Sequence, residues 1–150
     1  MRVVAICGSL RAGSSTERAL RIALEGVHQA GAEGELVLLR DLDLPQCDGR
    51  KDEISYGGDT PKLKDWVSTG DALLVGSPEY HGSLSGSLKN ALDLLGPEHF
   101  RGTLVGLLAT GRKDAGAMNT LNHLRHICRW MDAWVLPQQV GIPLSQEAFN

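Results

Sequence analysis

Short apolar runs alternate with helical patterns along this chain, and that alternation limits its fold more than any other feature. Val3-Val4-Ala5-Ile6-Cys7 is a continuous apolar run, so residues 3–7 read as a strand buried on both faces. Leu20, Ala23, Leu24, Val27 and Ala30 then recur at three- and four-residue spacing, one apolar stripe on a helix over 15–30 that Gly31 and Gly34 end. The same alternation predicts strands at 35–39, 72–75, 104–109 and 133–140, and helices at 60–68, 85–95 and 117–131. Thr60-Pro61 reads as a helix start, with a capping hydroxyl and a proline at the first helical position. Pro137 has to lie at an edge or a bulge of its strand. Strand and helix in turn specify an α/β domain with a parallel sheet and helices on both faces.

The first strand runs into Cys7-Gly8-Ser9-Leu10-Arg11-Ala12-Gly13-Ser14-Ser15-Thr16. Strand, glycine-bounded polar loop and helix is the layout of a phosphate cradle, because N–H groups at a helix start point outward and carry partial positive charge. Gly8 and Gly13 have the spacing of a nucleotide P-loop, but Ser14 and Ser15 stand where its lysine would follow. Leu10 occupies the place of the second glycine in a dinucleotide fingerprint. Hydroxyls and one arginine suit a single terminal phosphate, such as that of flavin mononucleotide, better than a triphosphate or a pyrophosphate. The same residues also suit a plain capped helix start with no ligand.

Ligands of doubly wound sheets sit beyond the carboxyl ends of the strands, where the strand order reverses. Three polar, glycine-containing loops follow strands one, three and four: residues 8–15, 77–82 and 110–116. Their convergence on one crevice is stronger evidence for a site than any one of them. Residues 40–59 form a long irregular segment with a charged centre at 48–53; segments of this kind are usually functional or mobile.

Composition narrows the classes. The 150 residues fit one domain, 42% hydrophobic and 22% charged, as in an ordinary globular protein. A net charge of -3 with scattered basic residues argues against nucleic acid. No apolar run approaches a membrane span, and Met1-Arg2-Val3 opens directly into a strand, so no membrane or export segment is expected. Cys7, Cys47 and Cys128 form no C-x-x-C pair, which fits a reducing cytoplasm.

Two motifs carry a resemblance to the NADPH-dependent FMN reductase family. They are Gly8-Ser9-Leu10-Arg11-Ala12-Gly13-Ser14, and Ser77-Pro78-Glu79-Tyr80-His81-Gly82-Ser83 running on to Leu88-Lys89-Asn90-Ala91-Leu92-Asp93. The resemblance implies a flavodoxin-like, doubly wound sheet of five parallel strands in the order 2-1-3-4-5, with FMN between strands one and three. It implies NADPH or NADH as hydride donor and a small-molecule second acceptor: a flavin, quinone, azo compound or metal oxyanion. Carried over, Ser9, Arg11, Ser14, Ser15 and Thr16 would hold the phosphate. Pro78, Glu79, Tyr80, His81 and Gly82 would line the isoalloxazine, and Thr110 and Gly111 would approach its pyrimidine end. His81 stands where the family often has asparagine. Relatives continue into a final helix, so either a tail is missing from the given sequence or a partner subunit covers its place. A homodimer or homotetramer is implied.

The flavin would carry the hard chemistry, so no catalytic side chain is required. His81, His99, His123 and His126 are candidates by residue type alone, and two histidines three apart on a helix do not make a metal site. Glu79 beside Tyr80 suits loop geometry better than acid–base work. Arg112 and Lys113 at the rim suit either a dinucleotide 2′-phosphate or plain solvation. Two rivals remain. A flavodoxin-like electron carrier would tend to be more acidic, and a phospho-receiver domain would need clustered carboxylates at its strand ends.

Overall fold

The computed structural model describes residues 1–50 and 56–149. Part of the charged centre anticipated at 48–53 therefore lies outside the described residues. The strands are β1 (Arg2–Cys7), β2 (Glu33–Leu38), β3 (Ala72–Pro78), β4 (Leu104–Thr110) and β5 (Trp134–Ile142). The helices are α1 (Ser15–Gln29), α2 (Thr60–Thr69), α3 (Gly86–Asp93) and α4 (Met118–Trp130). All strand pairs are parallel and the order is β2-β1-β3-β4-β5, as the resemblance implied.

Residues on the central strands alternate between two apolar layers. Val4, Ile6, Leu73, Val75, Val105 and Leu107 pack with Leu63 and Val67 of α2, Leu88 and Leu92 of α3, and Leu121 and Leu124 of α4. Ala5, Cys7 and Leu108 pack on the opposite face with Ala19, Leu20 and Leu24 of α1. Glycines let the layers close up. A Cβ on Gly8 would stand 2.8 Å from the Leu88 Cβ and 3.1 Å from the Gly76 carbonyl oxygen.

α1 covers only part of its face. Leu104 pairs with Trp134 and Leu108 with Val140, so these side chains share the α1 side of the sheet. Trp134 is 70% exposed and Val140 52%, and Leu104 and Leu136 are exposed beside them. No helix among the described residues is long and apolar enough to cross a membrane.

Pro137 lies on edge strand β5, where the register jumps: Val105 pairs with Val135, but Leu107 pairs with Gln139. The bulge frees carbonyls, and the Arg125 guanidinium donates to those of Leu136 (2.9 Å) and Pro137 (3.3 Å). One expected cap is not formed. Asp59 precedes α2, and the Thr60 hydroxyl is buried without a partner among the described residues. Asp59 is held to the preceding segment instead: its amide donates to the Asp43 carbonyl, and its carboxylate accepts from the Asp43 amide, both at 2.8 Å.

Candidate functional site

The carboxyl ends of β1, β3, β4 and β5 open into one crevice of about 410 Å³, within the usual range for a small-molecule site. Ser9, Arg11, Ser14, Ser15 and Thr16 line it from the β1–α1 loop. Pro78, Glu79, Tyr80 and His81 line it from the β3 loop, and Thr110 and Gly111 from the β4 loop. Of the twelve residues that the resemblance assigned to FMN, Gly82 alone lies outside this lining; Lys113, His99, His123 and His126 lie outside it too.

The first loop is built by capping. Ser14 precedes α1, and its Oγ accepts from the Glu17 amide at 3.2 Å. Gly13 adopts φ 62°, which a side chain would resist, and donates its amide to the Glu17 carboxylate at 3.0 Å. The Ser15 and Thr16 amides, the first two of the helix, have no hydrogen-bond partner among the described residues. Both residues line the crevice, at a helix start whose dipole favours an anion.

The hydroxyls divide their work differently from the sequence expectation. Ser15 Oγ donates to the Ser145 carbonyl at 3.0 Å, and the Thr16 and Thr110 hydroxyls are bonded to each other at 2.7 Å. These two contacts fasten the loops together. Ser9 Oγ accepts from the Arg11 amide at 3.3 Å, which leaves its own O–H available. Arg11 is exposed and makes no ion pair among the described residues. Two free amides, a free hydroxyl and an unpaired guanidinium are a donor set that fits a phosphate monoester.

The second loop is a tight turn. Tyr80 and Ser83 exchange backbone hydrogen bonds at 2.9 and 3.1 Å, and the two residues between them, His81 and Gly82, have φ 53° and 81°. Positive φ at both central positions marks a type I′ turn. Gly82 therefore serves the turn and His81 its exposed edge. Tyr80, 53% exposed, offers its ring to the crevice.

Glu79 is committed to structure. Its carboxylate accepts from the Thr120 amide (3.2 Å) and hydroxyl (3.1 Å) in the first turn of α4, while its amide donates to the Thr110 carbonyl at 2.8 Å. His123 holds the turn from the same helix, its Nδ1 lying 2.9 Å from Ser83 Oγ. Among the described residues no group of three His, Cys, Asp or Glu side chains could hold a metal ion.

Ser145 and Gln146 also line the crevice, and sequence reasoning missed both. Ser145 is buried; its amide donates to the Gly111 carbonyl at 2.9 Å, and the Gly111 amide donates to the Ile142 carbonyl at the same distance. The signal for them was their position just after the last strand, but that strand runs two residues further than its expected end. Arg112, read as a rim residue, is part of the lining.

Comparison with known proteins identifies the family. A family model described as NADPH-dependent FMN reductase matches residues 1–147. An NAD(P)H-dependent FAD/FMN reductase of Geobacillus thermodenitrificans is 35% identical over 71% of this chain and 57% of its own length. An FMN-dependent NADPH-azoreductase of Staphylococcus aureus is 32% identical over 100% of this chain and 81% of its own. The chain thus spans little more than half of the first relative. The apo form of an NADH:FMN oxidoreductase (EMOB) superposes with a TM-score of 0.82, at 27% identity, over 99% of this chain and 78% of that one. By its two loop motifs, its strand order and these matches, the chain belongs to the NADPH-dependent FMN reductase family, oxidoreductases that pair FMN with NAD(P)H.

Proposed function

We propose that this chain is an NAD(P)H-dependent flavin reductase that binds FMN in the crevice and passes electrons to a small-molecule acceptor such as a flavin, quinone, azo compound or metal oxyanion. The observation that carries this reading is the pair of unpaired amides at Ser15 and Thr16, set beside Ser9 and Arg11 in a crevice that the β3 and β4 loops also line. The chemistry supplied by bound FMN is hydride acceptance from NAD(P)H followed by electron delivery to the acceptor.

The chain's own residues bind and orient. Arg11, Ser9 and the two amides hold the phosphate. Pro78, Tyr80 and His81 set the position of the ring through the β3 turn, while Thr110 and Gly111 bound its other end. Glu79 acts by fixing that turn against α4. Arg112 with Lys113 favours NADPH by pairing with its 2′-phosphate, since a guanidinium matches phosphate geometry. The enzyme works in the cytoplasm as a homodimer or homotetramer.

An absorbance spectrum of the protein titrated with FMN, followed by anaerobic NADPH, tests the reading. Bound flavin that bleaches within seconds supports it. Bound flavin that resists both NADPH and NADH makes the chain an electron carrier. Failure of the protein to bind FMN removes the proposal. Retention of the NADPH-over-NADH preference in Arg112→Ala removes the role given to Arg112.

A further inference from the structure

The helix start proposed to receive phosphate already has a carboxylate beside it. Glu17 is the third residue of α1, and its side chain is only 7% exposed. Its Oε2 accepts the Gly13 amide at 3.0 Å and the Arg40 Nη1 at 2.6 Å. Its Oε1 accepts Arg21 Nη2 at 2.8 Å and Arg40 Nη2 at 3.3 Å. A bare carboxylate there would repel an incoming phosphate through low-dielectric surroundings that screen poorly.

The two arginines are not equivalent. The Arg21 side chain is 56% exposed, one helical turn along α1, and reaches only one carboxylate oxygen, Oε1, through Nε at 3.2 Å and Nη2 at 2.8 Å. Arg40 is 21% exposed and forks onto both carboxylate oxygens. It comes from the short turn Leu39–Asp41 after β2 and does not line the crevice. No spacing rule connects it to the phosphate loop; only the fold does.

We infer that Arg40 and Glu17 are positioning residues for the phosphate site: Glu17 anchors the Gly13 amide and so shapes the loop, and Arg40 cancels the carboxylate so that the helix start stays attractive to an anion. This rests on the FMN reading above. It also reaches beyond the crevice, because it ties the beginning of the long segment after β2 to the affinity of the site. The pair acts on the phosphate and not on the ring, and that distinction is measurable.

Flavin fluorescence quenching of the full chain, titrated separately with FMN and with riboflavin, tests the inference. Riboflavin lacks the phosphate and serves as the internal control. Arg40→Met leaves the carboxylate with only the half-exposed Arg21 as counter-charge, so it should weaken FMN by about tenfold and change riboflavin by less than about twofold. Adding Glu17→Gln to Arg40→Met should restore most of the FMN affinity, because the amide oxygen still accepts from Gly13 while the charge is gone. Glu17→Gln alone removes the negative charge and leaves Arg40 in place, so it should bind FMN more tightly than the wild type with riboflavin unchanged, which keeps the test open if Arg40→Met does not fold.

Equal loss of both ligands in Arg40→Met, no loss of either, or no rescue by Glu17→Gln overturns the inference. So does unchanged or weakened FMN binding in Glu17→Gln alone. A wild-type protein that binds no FMN overturns the reading beneath it and is recognised before any variant is made.

Discussion

The hydroxyls of Thr16 and Thr110 lie 2.7 Å apart, although 94 positions separate them in the chain. One stands in the first turn of α1 and the other ends β4, and both are almost fully buried, at 1% and 4% exposure. Replacing either by valine leaves the other hydroxyl without its partner. Thr110→Val should cost about 1–3 kcal/mol of folding stability, the usual penalty for a buried polar group left unsatisfied. Urea denaturation checks this, and the double valine variant should lose less than the sum of the singles.

The β3 turn makes a separate prediction. His81 holds φ 53° without the freedom of glycine. His81→Asn and His81→Gly should keep the thermal midpoint or raise it, because both residues accept this backbone region readily. His81→Val should lower stability by about 1–2 kcal/mol, since a β-branched side chain resists it. A set of melting curves on the three variants distinguishes backbone strain from any contribution of the imidazole.

Arg11 is exposed, so its removal should leave the fold intact. On the reading proposed above, Arg11→Ala should weaken FMN by roughly tenfold or more, as loss of a charge-assisted hydrogen bond does. The deficit should shrink as salt is added, because an exposed charge is screened. Titrations at low and high ionic strength provide the check; an unchanged dissociation constant at low salt would remove Arg11 from the phosphate site.

Acid stability should report Glu17. The Arg40 hydrogen bonds, helped by those of Arg21 and Gly13, lower its carboxyl from the ordinary 4.5 to about 2. In the unfolded chain the group takes up a proton near its ordinary value, so between these limits the unfolded state binds more protons than the native state. The stabilisation is therefore present in full above about 4.5 and is lost as the pH falls towards about 2. Denaturation midpoints across this range should fall less steeply in Glu17→Gln than in the wild type.

Much of the molecule was legible because its signals are local. Continuous apolar runs gave the buried strands, and three polar loops at strand ends gave most of the crevice lining. What stayed hidden depends on residues distant in sequence. Thr60 looked like a helix cap, but Asp59, paired with Asp43, takes the cap position, and the Thr60 hydroxyl has no partner among the described residues. Ser145 and Gln146 escaped notice because β5 continues through Gly141 and Ile142, residues that suggest a turn when read alone. The Arg40–Glu17 pair spans 23 positions and follows no helical or strand period. The β5 bulge was anticipated from Pro137, but the clasp by Arg125 that accompanies it was not.

The strand order has a consequence for how the protein is made. β1 is synthesised first and ends up between β2 and β3, with Val3 paired to Ala72. One edge of this apolar strand stays open on the ribosome until β3 has emerged. Pairings this distant are slow to form, and an unpaired apolar edge is where chains associate wrongly. The interval between the first and third strands is therefore when this chain is most open to wrong association, and a chaperone that covers the β1 edge acts there.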